Sequence, residues 1–288
     1  MISRMREIEG DFSEIVRVQY PGFSVPFSIY SEDELLSSII RRQGWYSHSD
    51  LRVYDLFLSE GDTVVDAGAN IGWYAIYAAT LVGERGTVIA IEPDPHHCAL
   101  LAKNAHLASL SQVVIMQAAL GKENGAGELR RSPNNFGDHH MAPLGEKLLS
   151  GSSSVPVRVV TLDSVLEGIA KVPRLIKLDL QGSEPDALAG MKNILLETST
   201  PLLLVEFSPG LILRAGGSPF ELFAFIEKNR FVPFRVAGDH VSGPLLKSVS
   251  VEELVSFTQE ARSTELGWDL LLVRADTRAD LSLCLSAL

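Results

Sequence analysis

The stretch Gly61–Asp94, GDTVVDAGANIGWYAIYAATLVGERGTVIAIEPD, decides the fold. It reads as strand, glycine-rich turn, helix, strand and acidic residue. The apolar run Thr63-Val64-Val65 ends in Asp66, and Gly68 and Gly72 break it. From Ile71 the spacing turns helical, with Ile71, Tyr74, Ala75 and Ala78 on one face. Thr87–Ile91 is a second apolar run, and it ends in Glu92. This is half of a mononucleotide-binding βαβ unit. The glycines let the backbone turn tightly and approach a ligand closely. Glu92, at the tip of the second strand, stands where an acid accepts bonds from ribose hydroxyls.

The chemistry of the turn narrows the ligand. Asp66-Ala67-Gly68-Ala69-Asn70-Ile71-Gly72 is D-x-G-x-x-x-G, whereas a dinucleotide fingerprint needs G-x-G-x-x-G. No G-K-[ST] follows, so a phosphate cradle is poorly supported. Asp66 would repel a pyrophosphate at close range but suits an amine. S-adenosylmethionine (SAM) carries an amine, a carboxylate and a ribose, and no phosphate. Asp66 can attract the amine, directly or through water. Asn70 and free amides at the helix start can meet the carboxylate, and Glu92 can take the ribose. The bland alternative is a structural turn followed by a solvated acid.

Five segments in order, DAGANIGWYAIYAA, IEPDPHHCALLAKNA, VTLDSV, IKLDLQGSEPDALAGM and PLLLVEFSP, resemble the FkbM-type family of SAM-dependent methyltransferases over roughly residues 45–235. The motifs are weak singly and fairly specific as an ordered set. The resemblance implies a Rossmann-like class I methyltransferase fold, with a seven-stranded sheet that carries one antiparallel strand near the C-terminus. It also implies O-methylation of hydroxyls on sugars or in secondary metabolite biosynthesis. One departure stands out. The family usually reads D-x-E-G where this chain has Asp179-Leu180-Gln181-Gly182, so position 181 carries no negative charge here.

Composition sets outer bounds. The 288 residues are 46% hydrophobic, enough for a full core. The formal net charge of −11 disfavours nucleic acid and anionic membrane surfaces as partners. It leaves room for a neutral or cationic small molecule with a hydroxyl. Cys98 and Cys284 give neither a disulfide framework nor a zinc pattern. MISRMREIEGDFSEIV has no apolar signal core, and no run approaches a membrane span. The expectation is a soluble cytoplasmic protein, with an oligomer left open.

Along the chain, Ile15–Tyr20 and Phe23–Tyr30 alternate like a hairpin about Pro21-Gly22. Ser31–Arg42 reads as a helix capped by Ser31 with Glu34 three residues on. Leu51–Leu58 reads as a second. Residues 1–60 thus form an N-terminal cap, residues 61–275 a SAM-binding core, and residues 276–288 a tail. In the core, strands and helices alternate, which indicates an α/β, mostly parallel sheet with helices on both faces. Gly127–Arg131 and Val155–Thr161 interrupt the rhythm as an antiparallel pair. Between them, residues 132–154 are rich in Gly, Ser, Pro and Asn and read as a lid loop, mobile without acceptor. Further on, Glu184–Glu197 reads as one helix.

Catalytic candidates are sought at the carboxyl ends of the strands, where ligands bind in open α/β sheets. Asp179 ends IKLDL and Glu206 ends LLVEF. On neighbouring strands they would lie about 4.8 Å apart. They could share a divalent cation such as Mg²⁺, raise one pKa to make a general base, or bond loop amides. His139, followed by His140 in the loop, is a candidate base near neutral pH, with Asp138 as a possible partner. His48, beside Trp45 and Tyr46, could line a pocket. His96 and His97 read as solvent-facing. Lys177 shares a strand face with Asp179, and Asp163 reads as a helix cap. Ala118 is small enough to let an adenine lie flat beside it. Two other classes stay open: an NAD-dependent oxidoreductase on the same architecture, and a non-catalytic SAM-binding module.

Overall fold

In the computed structural model, which describes residues 13–142, 153–167, 169, 171–196, 201–239 and 244–275, the first elements are β1 (Ser13–Tyr20) and β2 (Phe23–Tyr30). They pair antiparallel and turn at Pro21-Gly22, as expected. The helices α1 (Leu36–Gln43) and α2 (Ser49–Phe57) follow. Next come β3 (Thr63–Ala67), α3 (Trp73–Val82), β4 (Thr87–Glu92), α4 (Pro95–Leu107) and β5 (Val113–Gln117). A side group follows: β6 (Ala119–Leu120), β7 (Gly125–Arg131), β8 (His140–Met141) and β9 (Ser153–Val160), then α5 (Leu162–Leu166). The alternation resumes with β10 (Leu175–Leu178), α6 (Glu184–Ala189), β11 (Leu202–Phe207), α7 (Pro209–Arg214) and α8 (Pro219–Lys228). It ends with β12 (Phe231–Val236), β13 (Leu246–Ser248), α9 (Val251–Ala261) and β14 (Trp268–Arg274).

The main sheet has the order β5-β4-β3-β10-β11-β14-β12-β13. The first five strands are parallel, and β14 runs antiparallel to both β11 and β12. This is the Rossmann-like class I arrangement with its reversed strand near the C-terminus. Among the described residues the count is eight rather than seven, because β13 adds itself antiparallel to β12. Its three residues are too few to show a period in the sequence. The antiparallel pair expected around residues 127–161 is present as β7 and β9, inside a second sheet ordered β6-β9-β7-β8.

Successive residues of the central strands feed opposite cores. Val64, Leu175 and Leu204 join the cluster under β1, β2 and α1 to α4. Val65, Ile176 and Leu203 join the cluster under α6 to α9. A sheet buried on both faces explains why these strands read as unbroken apolar runs. Asn104, fully buried on α4, fastens the hairpin to the sheet. Its Oδ1 accepts from the Ser28 amide at 2.5 Å, and its Nδ2 donates to the carbonyls of Ser28 and Ile71 at 3.0 and 2.8 Å.

Two helix expectations fail for tertiary reasons. The first helix begins at Leu36, not Ser31. Asp33 accepts from the amides of Leu35 and Ser37, and the Glu34 amide is drawn off to the Asn134 carbonyl. The helix expected over 184–197 stops at Ala189. Gly190 packs where a Cβ would lie 2.3 Å from the Gly121 carbonyl oxygen, and Asp163 gathers the amides of Lys192, Asn193 and Ile194. Asp163 is therefore a cap, though for this later turn and not for α5, which Thr161 caps. The tail 276–288 and residues 143–152 of the expected lid lie outside the described residues. Among the described residues no helix is long and apolar enough to cross a membrane.

Candidate active site

The chain leaves β3 toward β4 and β5 on one side, then returns to β10 and β11 on the other. The gap between β3 and β10 is thus the topological switch point, and ligands bind at such points beyond the strands' carboxyl ends. A cleft of about 270 Å³ opens there. Its lining includes Gly68, Asn70, Glu92, Ala118, His139, Asp179 and Glu206. Asp66 and Gly72 are not among the lining residues.

The turn after β3 is held by close approach. Gly68 has φ +78, and a Cβ there would stand 1.8 Å from the Asp179 carbonyl oxygen. The amides of Gly68 and Ala69 both donate to the Ile91 carbonyl, at 2.9 and 3.1 Å. Asn70 adopts φ 48, and its side-chain oxygen accepts from the Ile71 amide at 2.7 Å. Gly72, at φ +97, caps α3 and packs against Leu101. Its part is backbone geometry.

Glu92 is 4% exposed. Its carboxylate accepts from the amides of Asn70 at 2.8 Å and Asp94 at 2.9 Å, and lies 3.3 Å from His97 Nδ1. The turn of β3 and the tip of β4 are therefore tied through the acid expected to hold a ribose. His97 is only 2% exposed, which corrects its reading as solvent-facing; His96 is exposed. Helical spacing turned His97 inward toward Glu92.

Asp66 faces the core of α2 and α3 and not the cleft. It sits opposite Lys177 in the β3–β10 register and is fully buried, with neither oxygen hydrogen-bonded. Direct contact with a ligand amine in the cleft is not available in this conformation. Burial, with Asp179 and Glu92 adding to it against Lys177, pushes its carboxyl up to about 6. A raised acid pKa means the folded state resists ionisation. Stability is full below the unfolded value near pH 4 and is lost as pH rises through about 6. At about 1.4 kcal/mol per unit, the ionised carboxylate costs roughly 2–3 kcal/mol. Asp66→Asn is expected to be more stable by that amount at pH 7 and to lose the slope between pH 4 and 7. Urea unfolding across that range checks it, and parallel curves for the two proteins would count against the assignment.

Asp179 and Glu206 do come together. They follow the paired residues Leu178 and Val205 of β10 and β11. Lys177 Nζ lies 2.7 Å from Asp179 Oδ2 and 4.3 Å from the Tyr74 ring centre. Gln181 Nε2 donates to Asp179 Oδ1 at 3.0 Å and to Glu206 Oε2 at 3.4 Å. Burial pushes the Asp179 carboxyl up, but Lys177 and Gln181 outweigh it and hold Asp179 below the usual range. Burial, then Asp179 and Glu184, push Glu206 well above it. Asp269, directly opposite Glu206 on β14, is raised as well. Asp179 is thus biased toward its ionised form and Glu206 toward its protonated form.

That donor set does not fit a divalent cation. The Lys177 ammonium already occupies one Asp179 oxygen, and the Gln181 amide donates to the other and to Glu206 Oε2. Among the described residues no group of three or more His, Cys, Asp or Glu is placed to hold a metal.

His139 stands elsewhere. Its side chain is 9% exposed, its ring stacks on His97 at 4.6 Å and 8°, and Nδ1 lies 3.2 Å from Asp94 Oδ2, off hydrogen-bond geometry. Burial lowers its pKa. The β4 tip that carries Asp94 is two strand spacings from β10, roughly 10 Å. His139 therefore belongs to the Glu92 end of the cleft. Asp138, its expected partner, pairs with Arg214 of α7 instead. His140 also lines the cleft, while His48 stacks on Trp45 outside it.

The loop over the cleft is fastened on two sides over its described part. The Phe136 amide donates to Asp33 at 3.1 Å, and Asp138 holds Arg214. Asp94 adds a clamp on β7, accepting from both Arg131 Nε and Nη2. Sequence reasoning missed that clamp, the bridging role of Gln181 and the part of Glu184, which accepts from the Leu180 amide at 2.7 Å. The acid placed just before Pro185 at the start of α6 was the available signal for Glu184.

The chain is similar to several known methyltransferases. The methyltransferase FkbM domain matches residues 66–233, more than half of the chain. The hexuronic acid methyltransferase AglP of Haloferax volcanii is 27% identical over 198 residues, 66% of this chain and 73% of that protein. Methyltransferase 1 of Beauveria bassiana is 28% identical over 159 residues, 49% of this chain and 64% of that one. Among solved structures, a SAM-dependent O-methyltransferase from Thermotoga maritima aligns with 94% of this chain and 80% of its own at 13% identity, TM-score 0.40. The strand order, the acid-bearing turn and the match over residues 66–233 converge, and the chain belongs to the FkbM methyltransferase domain family.

Proposed function

We propose that this SAM-dependent methyltransferase acts on a hydroxyl of a small molecule, a sugar or a secondary metabolite. The observation that carries the reading is the Asp179–Glu206 pair, bridged by Gln181 and held by Lys177, at the carboxyl edge beside the turn after β3. AglP, which bears the name of a hexuronic acid methyltransferase, adds support for a sugar acceptor. When bound, SAM supplies a methyl group on a positively charged sulfur.

The chain's own residues do the rest. Glu92 accepts from the ribose, Asn70 and the free amides at the start of α3 meet the carboxylate, and the small Ala118 leaves room for the ring. Asp66 favours the amine through the field of its charge, without contact. Asp179 orients the acceptor hydroxyl and takes its proton, while Glu206 supports it by sharing the neighbouring proton. His139 braces Glu92's side of the cleft. Residues 1–60 act as a cap, and residues 132–154 act as a lid that chooses the acceptor. Tyr46, which lines the cleft, offers an aromatic ring to a sugar.

Calorimetric titration with SAM tests the assignment. Glu92→Ala is expected to weaken binding by roughly 1–3 kcal/mol, the cost of losing hydrogen bonds to a charged group. Unchanged affinity removes Glu92 from the site. Tight NADH binding with no SAM binding by the parent protein sinks the reading as a whole.

A further inference from the structure

The segment Asp179-Leu180-Gln181-Gly182 is fixed from several directions. The Asp179 amide donates to the Ala67 carbonyl at 3.1 Å. Glu184 Oε1 accepts from the amides of Leu180 and Gly182 at 2.7 and 3.3 Å. Gly182, at φ +103, is pressed so close to α7 that a Cβ would lie 2.3 Å from the Leu211 carbonyl oxygen. Between them Gln181 is held at φ 53, a left-handed conformation that L residues rarely take. Such conformations persist where the surroundings over-determine them, and they gather at functional sites. Here the result is that the Gln181 side chain lines the cleft and reaches two acids.

A carboxamide has two N–H donors on one nitrogen. Nε2 spends them on Asp179 Oδ1 at 3.0 Å and Glu206 Oε2 at 3.4 Å. A carboxylate at this position could donate nothing when ionised and would add a further negative charge. The groups that face the pair are already mostly acidic. Those whose charge or dipole acts on it are Lys177 on β10, Asp66 on β3, Asp269 on β14, Asp50 on α2, Glu184 on α6, and the hydroxyls of Tyr46 and Tyr74. Lys177 is the one cation in that set, and it is committed to Asp179.

We infer that Gln181 is a positioning residue for methyl transfer: its carboxamide holds Asp179 and Glu206 side by side and lets the two share a single proton. The inference rests on the role proposed above for the acid pair. Without the bridge, neither anion is steadied, and both acids should keep their protons to higher pH. With a carboxylate in its place, they should keep them higher still.

Carbon-13 NMR titration of the carboxyl-labelled full-length protein tests this without any acceptor. The Glu206 resonance is assigned by its loss in Glu206→Gln. Two variants are compared with the parent. Gln181→Gly deletes the carboxamide while suiting the left-handed backbone, so the turn is kept. Gln181→Glu adds the charge. The Glu206 midpoint is expected to rise from parent to Gln181→Gly to Gln181→Glu, by about one pH unit or more overall, the scale of a neighbouring like charge. Superimposable Glu206 titrations in all three proteins, with thermal melts showing them folded, overturn the inference. A reversed order does so too. The titration is independent of SAM, so failure of the cofactor assignment would show separately as absent calorimetric binding.

Discussion

Asp179→Asn is expected to bind SAM nearly as the parent protein does and to turn over about 10²–10⁴ times more slowly, the usual loss when a general base is removed. The substitution keeps the shape of the side chain and the Gln181 contact region but removes the charge. In the parent, Lys177 and Gln181 hold that charge in place with 32% of the side chain open to the cleft. Sulfur loses its positive charge during transfer, so an acid that merely attracted the cofactor would not speed the step. The effect should therefore fall on turnover and not on SAM affinity. Lys177 remains matched by Asp66 across the β3–β10 register, so the variant should stay folded. Single-turnover transfer of labelled methyl at saturating SAM, alongside calorimetry, reads both quantities. Wild-type turnover in Asp179→Asn would dismiss the catalytic role and leave the cofactor site standing.

Gly68→Ala should be the most damaging small substitution in the cleft. Two costs add. A left-handed alanine costs about 1–2 kcal/mol. The new Cβ would also stand 1.8 Å from the Asp179 carbonyl oxygen and 2.9 Å from its carbon, and backbone cannot swing aside as a flexible side chain can. Relief requires β3 and β10 to part at the switch point, displacing Asp179 as well. Loss of about 3 kcal/mol or more is expected, together with loss of SAM binding. Gly22 supplies the control. It has nearly the same φ, +81, with nothing within 4 Å of an added Cβ. Gly22→Ala should show the conformational cost alone. Equal denaturation midpoints for the two alanine variants would mean that the close approach at Gly68 contributes nothing.

The parts of the site that could be read from sequence were those written in short segments. The turn Asp66–Gly72, the acids at the tips of β4, β10 and β11, and the apolar runs between them need only local spacing. What could not be read depends on partners far away in the chain. Nothing near Asp66 announces that its side chain turns under α3 and not into the cleft; that follows from the register with Lys177. Nothing near His139 names Asp94 as its neighbour, since 45 positions of sequence separate them. The start of α1 was misplaced because Asp33 and the Asn134 carbonyl compete for its first amides. The helix after Ser183 was drawn too long because Gly190 meets another loop at Gly121.

Asn104 carries a consequence for how such a protein can be rebuilt. One buried carboxamide joins β2 at Ser28 to the turn after β3 at Ile71. A donor hairpin grafted in from a relative would bring its own spacing at the Ser28 position, and the graft would unsettle the very turn that lines the cleft. Exchange of the first thirty residues is thus a change to the whole lineage of contacts, inherited together with position 104 or not at all.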